Sequence, residues 1–313
     1  MKNIVVLDAA TMRGTLQRPS FPHRWIEHPQ TAAAEAAARI KTAHIVIANK
    51  TPLCAAAVAN AKNLELVAVA ATGADQIDLD ACRRAGAAVC NVRNYANRSV
   101  AEHVMALVFC LSRRILSHHC RTVAGEWAES AVFSPDMGSI ATLQGAQIGI
   151  LGAGALGKAT AKLAAALGMS PVFWLRGEED ELPRLPLAEL LSSSGIVSLH
   201  CPLSPATKNI INRETLALMK PGAFLINTAR GGLVDSAALA GALREGRLGG
   251  AGIDVLPQEP PPANEPLLAD SLPNLIITPH AAWASGSALK IFHRQLRDNI
   301  EKFYAGAPQN IIP

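Results

Sequence analysis

Three residue types that can do acid–base and anion chemistry stand at the carboxyl ends of three late apolar runs. The run AFLINTA ends in Arg230, followed by Gly231 and Gly232; GAGIDV carries Asp254 and continues to Glu259; LIITP ends in His280. Ligands of open α/β sheets bind beyond the carboxyl ends of the strands. A cation there can hold a carboxylate or polarise a carbonyl. A histidine can protonate a new alkoxide near neutral pH, and a neighbouring carboxylate favours its charged form and fixes its tautomer. Those are the requirements for reducing a 2-oxo acid by hydride transfer. Taken singly, Arg230 also reads as a surface cation, Glu259 as a loop acid and His280 as a satisfied strand-end histidine. Their joint position behind a nucleotide-type loop gives them a common purpose.

That loop is ILGAGALGKAT, with Gly152, Gly154 and Gly157 in G-x-G-x-x-G order between the apolar run QIGIL and a helical pattern. The first glycine allows the tight turn, the second lets a pyrophosphate approach the backbone, and the third lets helix and strand pack closely. The following strand, PVFWL, ends in Leu175, 18 residues past Gly157, where an acid that binds the adenosine ribose is expected. Leucine accepts no hydrogen bond and repels no phosphate. Arg176 comes next, and its guanidinium could pair with a 2′-phosphate. The sequence therefore favours NADP(H) over NAD(H). The alternative is that Arg176 faces solvent and Glu178 or Glu179 turns back to the ribose.

The elements that must position these groups alternate along the whole chain. In the first third NIVVLD, HIVIAN, LELVAVAA and AAVCNV read as strands, separated by the helical TAAAEAAARIK and IDLDACRRAG. SVAEHVMALVFCLSRRIL reads as one long helix, with Val100, Val104, Leu107, Leu111 and Ile115 on one face and Ser99 with Glu102 as a capping box. Six strands follow from Gln147, and the helix DSAALAGALREG starts at Asp235 and stops at Gly246. The pattern predicts an α/β protein: a doubly wound parallel-sheet (Rossmann) cofactor domain at 99–282. That it is inserted in a smaller flavodoxin-like α/β substrate domain made of 1–98 and 283–313 is what the family resemblance described below implies. The helix KIFHRQLRDNIEKFYAG has no place in the second sheet and is expected to return to the first.

Composition narrows the class. The 313 residues suffice for two domains, and a chain 50% hydrophobic but only 4% aromatic suits helices packed on doubly buried parallel strands. A net charge of +4 is too small and dispersed for nucleic acid. MKNIVVLDAA reads as a first strand rather than a secretory signal, and no stretch approaches a membrane span. Cys54, Cys82, Cys90, Cys110, Cys120 and Cys201 show no metal-type spacing and read as packed, reduced thiols of a cytoplasmic protein.

In order along the chain, GAGALG, HCPLSPATKNIIN, MKPGAFLINTARGGLVD, GAGIDVLPQEP and TPHAAWAS resemble the D-isomer-specific 2-hydroxyacid dehydrogenase family. Within it, NVRNY, SVAEH and HAAWAS are most similar to glycerate dehydrogenases, also called hydroxypyruvate reductases. The resemblance implies that Arg230 binds the substrate carboxylate and carbonyl, His280 is the acid/base and Glu259 its partner. It implies a cofactor site of Gly152, Gly154, Ala155, Leu156, Gly157, Leu175, Arg176, Cys201, Pro202, Thr228, Ala229, Arg230, Asp254 and His280, with Asp254 near the nicotinamide carboxamide. In ATGADQID, backbone amides around Thr72, Gly73 and Ala74 would hold the substrate carboxylate. Trp283 would lie at the substrate pocket, with a core tryptophan under the C-terminal helix as the alternative. A homodimer formed through the cofactor domain is also implied. Asn97-Arg98 and Gly286 depart from the pattern of relatives and bear on the substrate, not on the reaction class. Alternatives are another 2-oxo acid such as phosphoglycerate, or a non-catalytic NAD-sensing dimeric corepressor.

Overall fold

The computed structural model describes residues 1–175, 183–269 and 272–313. The chain forms two compact units, one of Met1–Ala96 with Ala284–Pro313 and the other of Asn97–Trp283. The first opens with β1 (Lys2–Val6), β2 (His23–Glu27), α1 (Ala33–Ile40), β3 (Ile45–Ala48), α2 (Ala55–Asn60), β4 (Leu66–Val69), α3 (Leu79–Arg84) and β5 (Ala88–Asn91). All pairings are parallel and the order is β2-β1-β3-β4-β5, the flavodoxin-like arrangement.

The second unit holds α4 (Asn97–Ser112), α5 (Ile115–Val123), β6 (Gln147–Leu151), α6 (Ala155–Ala166), β7 (Ser170–Trp174) and β8 (Arg184–Leu185). It continues through α7 (Leu187–Ser193), β9 (Ile196–Leu199), α8 (Arg213–Leu218), β10 (Phe224–Asn227) and α9 (Ser236–Arg244). It ends with β11 (Gly250–Ile253), α10 (Pro266–Ala269) and β12 (Leu275–Ile277). Its seven parallel strands run β12-β11-β10-β9-β6-β7-β8, a doubly wound Rossmann sheet whose order reverses between β6 and β9. The last helix, α11 (Gly286–Tyr304), belongs to the first unit.

Burial explains that return. Successive side chains of a strand point to opposite faces. Val5, Val46, Val67 and Val69 pack under α1, α2 and α3, whereas Ile4, Val6, Ile45, Ile47 and Leu66 face the other way. Phe292, Leu296 and Ile300 of α11 cover that second face. Each such side chain taken from water contributes roughly 1.5–3 kcal/mol. Asn299 ties the helix down by donating to the Asn91 carbonyl at 2.8 Å.

Several expectations are corrected. HRWIE forms β2, an edge strand whose half-exposed side chains give no apolar run, and Arg184–Leu185 add a seventh strand of only two residues to the second sheet. The long helix breaks at Arg114, which takes a left-handed φ of 52°, so Ile115 starts α5 and is exposed. Ser99 does not cap α4, which already begins at Asn97. Its hydroxyl donates to the Ala282 carbonyl at 2.6 Å, while Glu102 pairs with Arg98 at 2.6 Å. Cys54 and Cys120 are exposed rather than packed, and Cys110 is half-buried. The C-terminal helix begins at Gly286 under a Ser285 cap, ahead of Lys290.

One approach fixes the site. α4 lies against β11, where a Cβ on Gly250 would meet Leu111 at 2.8 Å and one on Gly252 would meet Leu107 at 3.0 Å. Four helical residues rise about 6 Å and two strand residues about 6.6 Å, so the two elements stay in step. The next step of that register brings His103 to Asp254.

Candidate active site

At the reversal between β6 and β9 the three glycines do different work. Gly152 has φ 120°, and a Cβ there would lie 2.6 Å from the His200 carbonyl carbon and 2.7 Å from the Cys201 nitrogen. A Cβ on Gly157 would lie 1.9 Å from the Gly152 oxygen, so strand and helix close only on a glycine. A Cβ on Gly154 would meet nothing within 4 Å, which leaves the backbone open to an approaching group. Gly154 and Ala155 are exposed, Leu156 is half-buried, and no side chain caps α6, so its first N–H groups suit a pyrophosphate.

The neighbouring strand ends agree with a dinucleotide. Cys201 is buried and Pro202 exposed just after β9; Thr228 is buried with its hydroxyl unpartnered; Ala229 is half-buried after β10. Burial pulls the His200 imidazole down to about 4, so it stays neutral beneath the loop, 2.9 Å from the Ser198 hydroxyl. Leu175, 58% exposed at the end of β7, offers no acceptor there. Arg176, Glu178 and Glu179 lie outside the described residues.

The structure brings Glu259 and His280 together. Glu259 Oε2 lies 2.6 Å from His280 Nδ1, and Glu259 Oε1 accepts the Leu256 N–H at 3.1 Å. Both side chains are about 30% accessible, at 29% and 30%. With Nδ1 committed to the carboxylate, Nε2 is the nitrogen that can exchange a proton with a ligand. Arg230 follows β10 and is half-buried, with Nη1 donating to the Ala229 carbonyl at 2.8 Å. Its backbone oxygen accepts from Asn227 Nδ2 at 2.9 Å. The segment after it presses on the one before Glu259: a Cβ on Gly231 would lie 2.0 Å from the Leu256 carbonyl carbon.

Asp254 follows β11 directly and is buried. Its side chain has no accessible surface. Oδ1 accepts from the Thr278 hydroxyl at 2.5 Å and the Ala281 N–H at 2.8 Å, and Oδ2 accepts the Ala282 N–H at 3.0 Å. The carboxylate therefore shapes the turn around His280, whose φ is 49°, and does not present itself to a ligand in this arrangement. His103 Nε2 stands 3.0 Å from the Thr278 hydroxyl and 3.6 Å from Asp254 Oδ1. Neither His103 nor Thr278 was expected from the sequence. The available signal was Ser99 and His103 one helical turn apart, ahead of a Thr-Pro-His strand end. Trp283 is half-buried, and its indole donates to the His280 carbonyl at 3.0 Å.

In the first unit Thr72, Gly73 and Ala74 follow β4. The Thr72 carbonyl accepts from Asn91 Nδ2 at 2.6 Å, and Ala74 accepts the Ile77 N–H at 2.9 Å. Among the described residues the Gly73 and Ala74 N–H groups meet no backbone acceptor. Among the described residues no three His, Cys, Asp or Glu side chains form a metal-type group.

Gly231→Ala tests the contact that joins the Arg230 and Glu259 segments. A methyl 2.0 Å from backbone carbon must push them apart. Displacement of about 1 Å costs on the order of 100-fold in rate. We expect such a loss in kcat/KM with nucleotide binding retained; a fully active variant would show that the contact is not needed.

The comparisons agree with this geometry. Residues 105–282 match the family model described as D-isomer specific 2-hydroxyacid dehydrogenase, NAD binding domain. The chain is 44% identical over 312 residues to a glycerate dehydrogenase of Methylorubrum extorquens, covering 99% of each. It is 34% identical over 287 residues to a hydroxypyruvate reductase of Blautia hydrogenotrophica, covering 90% of this chain and 88% of that one. The solved structure of an acyclic imino acid reductase in complex with NADPH and D-Arg superposes with a TM-score of 0.85 at 27% identity, covering 99% and 100%. A dinucleotide loop at the sheet reversal, a carboxylate–imidazole pair beyond the late strands and matches of this length have one explanation: the chain is an enzyme that belongs to the D-isomer-specific 2-hydroxyacid dehydrogenase family.

Proposed function

We propose that the enzyme reduces a small 2-oxo acid of the hydroxypyruvate or glyoxylate type to the D-2-hydroxy acid. The observation that carries the reading is the 2.6 Å contact between His280 Nδ1 and Glu259 Oε2 at the edge of a nucleotide-binding sheet. A reduced nicotinamide, when bound, supplies the hydride. The Arg230 guanidinium holds the substrate carboxylate and polarises the carbonyl, and the N–H groups of Gly73 and Ala74 donate to the carboxylate. As the carbonyl carbon is reduced, the proton on His280 Nε2 passes to the developing alkoxide. Glu259 steadies the imidazolium before transfer and fixes the ring after it. Trp283, pinned by its indole N–H to the backbone of His280, borders the substrate. The 44% identity to a glycerate dehydrogenase over 99% of both chains supports hydroxypyruvate in particular.

NADP(H) is the favoured cofactor, since Leu175 stands where a ribose-binding acid would select NAD(H); the NADPH in the imino acid reductase supports the same choice. The enzyme works in the cytoplasm as a homodimer formed through its second unit. Support for a partner there comes from apolar side chains left in water at the end of α5 and after it: Val123 is 72% exposed, Trp127 54%, Val132 57% and Phe133 91%. Among the described residues no helix is long and apolar enough to cross a membrane.

Steady-state kinetics with hydroxypyruvate, glyoxylate and a bulkier 2-oxo acid test the reaction. His280→Ala should lower kcat on the order of 10²–10⁴-fold with little change in nucleotide affinity. Glu259→Gln should lower kcat with nucleotide affinity unchanged, because the ring loses the carboxylate that meets Nδ1. A His280→Ala enzyme that kept most of its rate would remove the proposed acid. The cofactor reading is checked by kcat/KM for NADPH and NADH in wild type and in Arg176→Ala; a wild-type preference for NADH overturns it. Sedimentation analysis should give a dimer, and Phe133→Ser should weaken it. A wild-type monomer at micromolar concentration would contradict the assembly.

A further inference from the structure

The left-handed turn at His280 has to be held open by something. A non-glycine residue in that region costs roughly 1–2 kcal/mol. Here the N–H groups of Ala281 and Ala282 are drawn onto the two oxygens of one buried carboxylate, and the His280 N–H donates to the Asp254 carbonyl at 2.8 Å. The orientation of Asp254 thus fixes the orientation of the imidazole toward Glu259.

A chain of donors fixes Asp254 in turn. A hydroxyl has one proton, and that of Thr278 goes to Asp254 Oδ1 at 2.5 Å. Thr278 Oγ1 must therefore accept at its other contact, which makes His103 Nε2 the N–H donor at 3.0 Å. Both ends of the turn are gripped from α4. Ser99 donates to the Ala282 carbonyl at one end, and His103, one helical turn on, holds Thr278 at the other. The helix is set in register by Gly250 and Gly252, so the donor cannot slide along the strand.

We propose that His103 is a positioning residue for His280, acting through the Thr278 hydroxyl and the Asp254 carboxylate. Without its N–H, the Thr278 rotor is no longer fixed, Asp254 loses its oriented donor and the turn relaxes away from the left-handed region. The imidazole then swings off Glu259. The inference rests on the reading of His280 as the proton donor, so its test carries that reading as a separate arm.

The experiment compares full-length wild type, His103→Leu, His103→Gln, Thr278→Val and His280→Ala. It measures kcat and KM on hydroxypyruvate and the dissociation constant for NADPH by fluorescence. His103→Leu and Thr278→Val should each lower kcat by about 10- to 100-fold, the cost of misplacing a reacting group, with nucleotide affinity unchanged. His103→Gln, whose side-chain amide can offer an N–H to Thr278, should recover most of kcat. Wild-type kcat in His103→Leu alongside an impaired His280→Ala would overturn the proposal and spare the parent reading. So would equal loss in the Gln and Leu variants, or loss of NADPH binding in step with kcat. An active His280→Ala enzyme would instead strike the parent reading, and the proposal with it.

Discussion

A carboxylate with no access to water is the constraint around which the carboxyl edge of the second sheet is organised. Burying Asp254 is costly unless its lone pairs find donors. Beside the Thr278 hydroxyl, its donors are the two amides that follow His280, and accepting both draws the chain through a left-handed residue. The backbone turn therefore sets the position from which the imidazole reaches Glu259. Glu259 needs only to meet it. The Thr278 hydroxyl and the α4 side chains that reach the turn are the remaining supports of the same centre.

The glycines of β11 follow from that need. In most strands a glycine forfeits packing. In GAGID it lets α4 approach until Leu107 and Leu111 lie on the strand, and this puts Ser99 and His103 at the carboxyl end. The conformational cost of two strand glycines is offset by the precision with which the helix delivers polar groups to Asp254. The break at Arg114 ends α4 as it passes the start of the strand, and the exposed apolar segment follows.

The sequence is legible where a physical requirement leaves a local trace. Doubly buried parallel strands must be apolar on both faces, so β1, β3, β4, β5 and most of the second sheet stand out as apolar runs. The uncovered face of the first sheet demands α11. β2 and β8 leave no such trace: an edge strand may alternate with charges, and two residues are too few for a pattern. Glycine spacing announces the loop because the turn, the open approach and the close packing each exclude a side chain. Ser99 misleads because a serine three residues before a glutamate looks the same whether it caps its own helix or ties a loop 183 residues away. The same limit hides the link between His103 and Thr278, 175 residues apart, and the inward turn of Asp254. Spacing reveals that a polar residue ends a strand, but not whether it serves the ligand or the chain.

The unequal exposure of the two carboxylates divides the labour. Glu259 and His280 keep about 30% of their side-chain surfaces, enough for a ligand to reach the pair, while Asp254 keeps none. A carboxylate that meets an imidazole benefits from some solvent, which moderates the penalty of burying charge. One that must hold a fixed backbone turn benefits from having no water to compete for its lone pairs. Exchanging the two environments would weaken both arrangements: an exposed Asp254 would let the turn breathe, and a sealed Glu259 would cut the imidazole off from any ligand.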